Sequence, residues 1–346
     1  MSESSEAVLT ASEWPRSAAH TVLDDRGAGL LAAALSLVSD DLAAADRELA
    51  VLLRSSVASI PEIGGELAFA GGKRFRPLLA LLAAAAAGYR EPARITVAAV
   101  GELLHTATLL HDDVIDHGEF RRGRPTARLR HGNGMAVLVG DYCLARALQA
   151  IAATGQLHAV VTMSDAVTRM AEGEVAQLHA CGDDTLDRTR YAMVIDRKTA
   201  ALIGWCASVA GLPEPALHRP LERYGLELGF AFQIADDVLD YRGLGGKEPG
   251  QDLRDGKMTL PLILACEADP SLHARVRMAL RAGAPMTPST ASAIFEAVLA
   301  GDGAARASAI AHRHAEKACD ALSALPVSPA RTALEQVAEY VVKRSR

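Results

Sequence analysis

The sequence predicts an all-α fold, and three observations carry that prediction. Half of the 346 residues are apolar but only 4% are aromatic, so the apolar half is mostly Ala, Leu and Val. Ala and Leu are strong helix formers, and the β-branched and aromatic mix of sheets is thin. Apolar-rich stretches of about 15 to 25 residues recur from about Gly27 onward, and no run alternates with period two over a useful length.

In chain order, residues 1–22 read as a loose polar tail. Their first thirteen residues hold three Glu and no basic stretch before an apolar core, so no targeting segment is legible there. Helical stretches then follow at 28–58, 74–88, 92–115, 134–153, 157–180, 188–210, 215–241, 258–267, 271–283, 288–300, 303–324 and 328–344. Gly, Pro and Asp punctuate them, as in GGKRFRP, RRGRPT, GLPEP, RGLGGKEPGQD and RAGAPMTP. The longest apolar run, at 77–87, falls short of the ~20 residues that span a bilayer and reads as a buried helix. With no linker and no solenoid repeat, residues 23–346 are expected to form one domain of about a dozen helices, packed as a bundle.

The net charge of −6 lacks the global basic footprint of a nucleic-acid binder. Cys143, Cys181, Cys206, Cys266 and Cys319 are odd in number and widely spaced, without a CxxC pair. A disulfide framework or structural zinc site is not expected, and the pattern suits a cytoplasmic protein.

One acidic pattern occurs twice. HTATLLHDDVID (105–116) and GFAFQIADDVLD (229–240) each end an apolar helical run with DDxxD. Residues i and i+4 of a helix are neighbours, about 5–6 Å apart at Cβ. Asp112 thus shares a face with Asp116, and Asp236 with Asp240. Like charges there repel, and a helix C-terminus disfavours anions. A solvated helix end would explain one copy, whereas two copies point to a bound cation. Carboxylate oxygens suit hard Mg²⁺, which keeps waters and recruits phosphate oxygens.

Basic residues gather beside these clusters: Lys73 and Arg76 at a glycine-led helix start, Arg121, Arg122 and Arg124 after the first cluster, Lys198-Thr199, Lys247 after the second cluster, and Lys257. Each alone reads as a surface charge; together they would hold a polyanion through metal and direct contacts. GGKR is not a phosphate-binding P-loop, and GKMT at 256–259 lacks the upstream Gly and strand, so a nucleotide-hydrolase reading is weak. Gln177 and Gln233 are polar groups in apolar helical context, and Gln233 lies three residues before Asp236. Either could be a satisfied core amide. His105 reads as a hydrogen-bond donor to an anion. His111, beside Asp112, lacks a paired His on its helix face and so makes no zinc or iron site.

These motifs together resemble the trans-polyprenyl diphosphate synthases, the class I isoprenyl transferases, over roughly residues 66–344. GGKRFRP (71–77), HTATLLHDDVID, RRGRPT (121–126), VGDYCLARA (139–147), EGEVAQ (172–177), KTAALIG (198–204), GFAFQIADDVLD and GKEPGQDLRDGKMTLPLILA (246–265) follow the family's order and spacing. The resemblance implies an isoprenoid-synthase-type helical bundle around a central cavity, usually a homodimer. It implies a reaction in which Mg²⁺ assists ionisation of an allylic diphosphate and isopentenyl diphosphate attacks the cation. It assigns Asp112 and Asp116 to two Mg²⁺ ions and Asp236 to a third, with Asp113 and Asp240 acting through water or neighbouring groups. Arg121, Lys198, Lys247 and Lys257 would hold the allylic diphosphate; Lys73, Arg76, His105 and Arg122 would hold isopentenyl diphosphate. Thr199 and Gln233 would steady the cation, and the released diphosphate would accept the proton.

In this family the residues one turn before the first DDxxD floor the product cavity. Here they are the small Ala107 and Thr108, with Leu103 and Leu104 a turn deeper, and the first motif lacks the insertion common in bacterial short-chain enzymes. A long product, about C30–C50, for a quinone side chain is therefore expected. The alternatives are a short-chain farnesyl or geranylgeranyl diphosphate synthase, a class I terpene cyclase, and a non-catalytic subunit of a heteromeric synthase. GGKRFRP and RRG tell against the cyclase, and two intact DDxxD copies tell against the subunit. The filling His117-Gly118-Glu119-Phe120 before RRG departs from the usual pattern and leaves that loop's geometry open.

Overall fold

A computed structural model describes residues 25–71, 74–121, 123–183, 185, 187–209, 215–242, 250–283 and 285–344. The expected tail at 1–22, together with Lys73, Arg122 and Lys247, lies outside the described residues. In chain order the helices are α1 (Asp25–Leu37), α2 (Ser39–Leu52), α3 (Ser59–Ala68), α4 (Phe75–Ala86), α5 (Ala93–Ile115), α6 (Ala127–His131), α7 (Asn133–Ala153), α8 (Leu157–Ala180) and α9 (Arg188–Ile195). After a π turn (Asp196–Ala200) come α10 (Ala201–Val209), α11 (Pro215–Tyr241), α12 (Gln251–Arg254), α13 (Leu260–Ala268), α14 (Pro270–Arg281), α15 (Pro288–Ala300), α16 (Gly303–Ala321) and α17 (Pro329–Lys343). Two-residue strands β1 (Phe120–Arg121) and β2 (Arg124–Pro125) pair antiparallel.

The chain forms two compact units. The first comprises Val38–Leu81 and Glu91–Val160. Its spine is α5, packed by α2, α3 and α7, with Val100, Leu103, Leu104, Ala107 and Leu110 fully or almost fully buried. Gly64 and Gly140 permit close approach there: a Cβ on Gly64 would come 2.8 Å from Leu53, and one on Gly140 would come 2.4 Å from the His111 ring.

The second unit comprises Asp24–Leu37, Leu82–Arg90 and Val161–Arg346. Its spine is α11, packed by α10, α16 and α17. Gly225 lies so near Gly204 that an added Cβ would fall 2.7 Å from the Gly204 Cα. Ile195, Ile234, Val238, Leu260 and Leu264 form the apolar layer under the end of α11.

The structure departs from the expected helix boundaries in several places, the short helices α6 and α12 lying outside every expected stretch. The stretch 28–58 breaks at Val38, where Ser39 and the acids Asp40 and Asp41 open a new helix; acids in a first turn complement the helix dipole. The two halves take different partners, α1 packing on α17 and α2 on α5. Helix α3 was not expected, although Pro61 and Glu62 in its first turn are helix-start residues. The stretch 188–210 is interrupted by the π turn that carries Lys198 and Thr199, a distortion common at functional sites.

Helix α4 buries the apolar run as expected, Leu78–Ala84 being at most 1% exposed. Two other helices, α5 and α7, are nevertheless long and apolar enough to cross a membrane by length and composition. The apolar window of α5 is 56% buried and that of α7 33%.

Candidate active site

The first acidic motif closes α5. Asp113 is 4% exposed. Its Oδ1 accepts two hydrogen bonds from Arg121, from Nε at 3.0 Å and Nη2 at 2.8 Å. Asp112 is half-buried and Asp116 is exposed. Asp116 ends the helix, its N–H donating to the Asp112 carbonyl at 2.8 Å. Thus Asp113 positions the Arg121 guanidinium, while Asp112 and Asp116 keep the i, i+4 spacing read from the sequence.

Arg121 sits on the short hairpin, which turns at Gly123 with φ +74°. Thr126 fastens the hairpin's exit: its hydroxyl donates to the Gly118 carbonyl at 2.7 Å and caps α6 by accepting from Leu129 N–H at 3.3 Å. A cavity of about 280 Å³ opens beside the Arg121–Asp113 pair and is lined also by Arg124, Arg130 and Glu66. The sequence reading had not assigned Arg130, which pairs with Glu66.

The GGKRFRP turn separates its two described arginines. Arg74, at φ +47°, is held by Asp46 at 2.9 Å and Glu102 at 3.2 Å, and stacks over Phe69. It is the structural pin of the turn. Arg76 occupies the first turn of α4. His105 and Thr108 are half-buried on α5. The Thr108 hydroxyl donates to the His105 carbonyl at 2.8 Å, so its polarity is spent within the helix. Ala107 is 3% exposed. His111 contacts the Val137 carbonyl at 3.3 Å and Asp141 at 3.2 Å.

In the second unit, Lys198, Thr199, Gln233 and Lys257 converge on one cavity of about 210 Å³, shared with Gln177, Tyr191 and Asp237. The Lys198 ammonium pairs with Glu174. Lys257 lies 4.0 Å from Asp255. The Thr199 hydroxyl donates to Gln233 Oε1 at 2.9 Å, and Gln233 Nε2 donates to Asp237 Oδ1 at 2.9 Å. The Tyr191 hydroxyl donates to Asp237 Oδ2 at 2.5 Å. Asp237 is 3% exposed. Burial, with the Asp252 charge second, pushes its carboxyl up to about 8, and burial likewise raises the Tyr191 phenol well above its usual range.

Asp236 points elsewhere: its Oδ1 accepts from Arg344 at 2.7 Å. Sequence reasoning missed Tyr191, Glu174 and Arg344. Glu174 lies inside the quoted EGEVAQ motif, and Tyr191 lies seven residues, or about two helical turns, before Lys198.

The donor set suits a divalent cation held partly by substrate. No three His, Cys, Asp or Glu side chains among the described residues converge into a closed metal cage. Mg²⁺ does not require one, because it binds through one or two carboxylates plus phosphate oxygens and waters, and Asp112 with Asp116 provides such a pair.

Comparison with known proteins agrees with this chemistry. The family model described as polyprenyl synthetase matches residues 58–298. An octaprenyl diphosphate synthase of Escherichia coli is 39% identical over 317 residues, covering 90% of this chain and 98% of that protein. A polyprenyl synthase from Caulobacter crescentus, solved with calcium and isoprenyl diphosphate, superposes with a TM-score of 0.87 at 36% identity, over 91% of this chain and 98% of that one. A decaprenyl diphosphate synthase from Rhodobacter capsulatus gives 0.86 at 37% identity, over 90% and 98%. Sequence and backbone agree along nine-tenths of the length: the chain belongs to the polyprenyl synthetase family of prenyl transferases, with long-chain synthases among its relatives.

Proposed function

We propose that this chain condenses isopentenyl diphosphate onto an allylic diphosphate, head to tail and trans, and repeats the addition to a long-chain polyprenyl diphosphate of about C30–C50 for a quinone side chain. The observation that carries this reading is the pair of DDxxD motifs, each ending a long helix and each accompanied by cations. Residues 23–346 act in it as one prenyl synthase domain, in the cytoplasm.

Asp112 and Asp116 would hold two Mg²⁺ ions and Asp236 a third. When bound, the ions supply positive charge to the departing diphosphate. Arg121, Lys198, Lys247 and Lys257 hold the allylic diphosphate directly, with Asp113 and Glu174 aiming the first two. Lys73, Arg76, His105 and Arg122 hold isopentenyl diphosphate. Thr199 and Gln233 steady the cation through their dipoles. No side-chain base stands out, and the released diphosphate takes the proton.

A homodimer is part of the proposal. On α7, Leu138 is 64% and Leu148 44% exposed, an apolar face that a second copy would cover.

The test is a product assay with labelled isopentenyl diphosphate, a farnesyl or geranylgeranyl primer and Mg²⁺, with light scattering for mass. Products of 30 or more carbons from a dimer are expected. Products that stop at about 15 or 20 carbons would overturn the chain length, and no elongation by folded protein would overturn the activity.

A further inference from the structure

The chain of hydrogen bonds Tyr191–Asp237–Gln233–Thr199 has a direction. Asp237 accepts at both oxygens, at Oδ2 from Tyr191 and at Oδ1 from Gln233. Gln233 therefore turns its NH₂ toward Asp237, at 2.9 Å. Its Oε1 then faces Thr199, which must donate, also at 2.9 Å. The only hydroxyl proton of Thr199 is thus spent, and Thr199 meets the cavity it lines with oxygen lone pairs alone. The origin of this order is the fixed rotamer of Asp237. The Tyr191 hydroxyl holds Oδ2 at 2.5 Å and is itself bonded by the Leu260 backbone. Without that bond the carboxyl could rotate, Gln233 could flip, and Thr199 could point its proton into the cavity.

We propose that Tyr191 is a positioning residue that acts through Asp237 and Gln233 to keep the Thr199 oxygen, rather than its proton, facing the reacting carbons. The proposal rests on the elongation reading above. A lone pair beside a developing allylic cation stabilises it, whereas an O–H dipole turned the other way repels it, and the effect belongs to the transition state rather than to substrate binding. Tyr191 touches neither substrate nor metal in this scheme.

The test is a double-mutant cycle of Tyr191→Phe and Thr199→Val in the full-length protein. Tyr191→Phe keeps the ring and removes the donor. It is expected to lower kcat about tenfold with both KM values within about twofold, and to cost less than about twofold in the Thr199→Val background. Equal losses in both backgrounds, or a loss carried by KM, would overturn the proposal. A second readout needs no turnover. In ¹⁵N-glutamine-labelled protein the Gln233 side-chain amide, identified by its disappearance in Gln233→Met, is expected to shift in both Tyr191→Phe and Thr199→Val. An unmoved resonance would likewise overturn the proposal. Wild type that elongates no primer while this resonance responds would sink the elongation reading and leave the hydrogen-bond order standing; an active enzyme with additive losses would sink only the positioning role.

Discussion

Arg344 donates to Asp236 Oδ1 at 2.7 Å and to the Phe232 carbonyl at 2.9 Å. Its guanidinium lies over the Phe232 ring, 4.0 Å from the centroid. Phe232 and Asp236 are one turn apart on α11, so a single residue beyond α17 grips that turn. The guanidinium is 8% exposed and the carboxylate 43%. The carboxylate proposed for the third ion thus already has a cationic partner, and ion and arginine compete for it.

Arg344→Gln is therefore predicted to lower the Mg²⁺ concentration at half-maximal rate about threefold, the effect of a partly exposed ion pair worth under ~1 kcal/mol. It is also predicted to lower the melting temperature, because the stacking and the carbonyl bond are lost. A Mg²⁺ titration of wild type and variant decides. An unchanged or raised Mg²⁺ requirement contradicts the competition.

Asp237 predicts how stability varies with pH. Burial holds its carboxyl protonated up to about 8 in the folded chain, against a usual value of 3.8. Between those values the folded chain binds a proton that the unfolded chain has lost. Stability from this group is therefore full at acid pH, falls as pH rises through the window, and levels off above it. Asp237→Asn keeps an acceptor for Gln233 but cannot titrate. Its urea midpoint is predicted to fall less than that of wild type between about pH 5 and pH 8. Parallel curves would show that Asp237 ionises normally.

The legible and illegible parts of the site differ in kind. Asp112/Asp116 and Asp236/Asp240 could be proposed from the sequence because their chemistry lies in spacing along one helix, which the periodicity fixes, and Lys198-Thr199 because the two are neighbours in the chain. The convergence of Lys198, Thr199, Gln233 and Lys257 needed tertiary packing that no local pattern encodes. Arg344 meets Asp236 across more than a hundred residues, and Glu174 meets Lys198 from another helix. The break at Val38 was hidden because apolar periodicity runs through it, and only the Ser-Asp-Asp start of α2 marked the change of partner. The π turn left no sequence mark beyond the functional residues it carries.

The residues proposed to floor the product cavity offer a prediction in which burial separates two neighbours. Ala107 is 3% exposed, and Thr108 is half-buried with its hydroxyl bonded inside the helix. Thr108→Phe is predicted to shorten the product, with little loss of stability, by placing a ring where Thr108 is open. Ala107→Phe has less room and is predicted to cost about 1–3 kcal/mol by overpacking α5 as well. Chromatographic sizing with a melting curve for each variant checks both, and an unshortened Thr108→Phe product would place the floor deeper, at Leu103 or Leu104.

The π turn itself is seated by two glycines. A Cβ on Gly173 of α8 would fall 2.7 Å from the Lys198 backbone N, and one on Gly229 of α11 would fall 2.5 Å from the Ala200 Cα. Backbone is on the receiving end in both cases, so no side chain can rotate out of the way. Neither glycine is needed for a positive φ, so the demand is for space alone. Gly173→Ala and Gly229→Ala must push the turn that carries Lys198 and Thr199, and each is predicted to cost about 1–3 kcal/mol. Displacing that turn shifts two proposed functions at once: the ammonium assigned to the diphosphate and the hydroxyl assigned to the cation. Both variants are therefore predicted to raise the allylic KM and lower kcat, leaving the KM for isopentenyl diphosphate within about twofold. Gly225→Ala is the control, because its Cβ would meet the Gly204 Cα at 2.7 Å, away from the turn. It is predicted to lose comparable stability with its kinetic constants kept. If all three variants lose activity only in proportion to their loss of folded protein, the glycines serve packing and the π turn is not kinetically coupled to them.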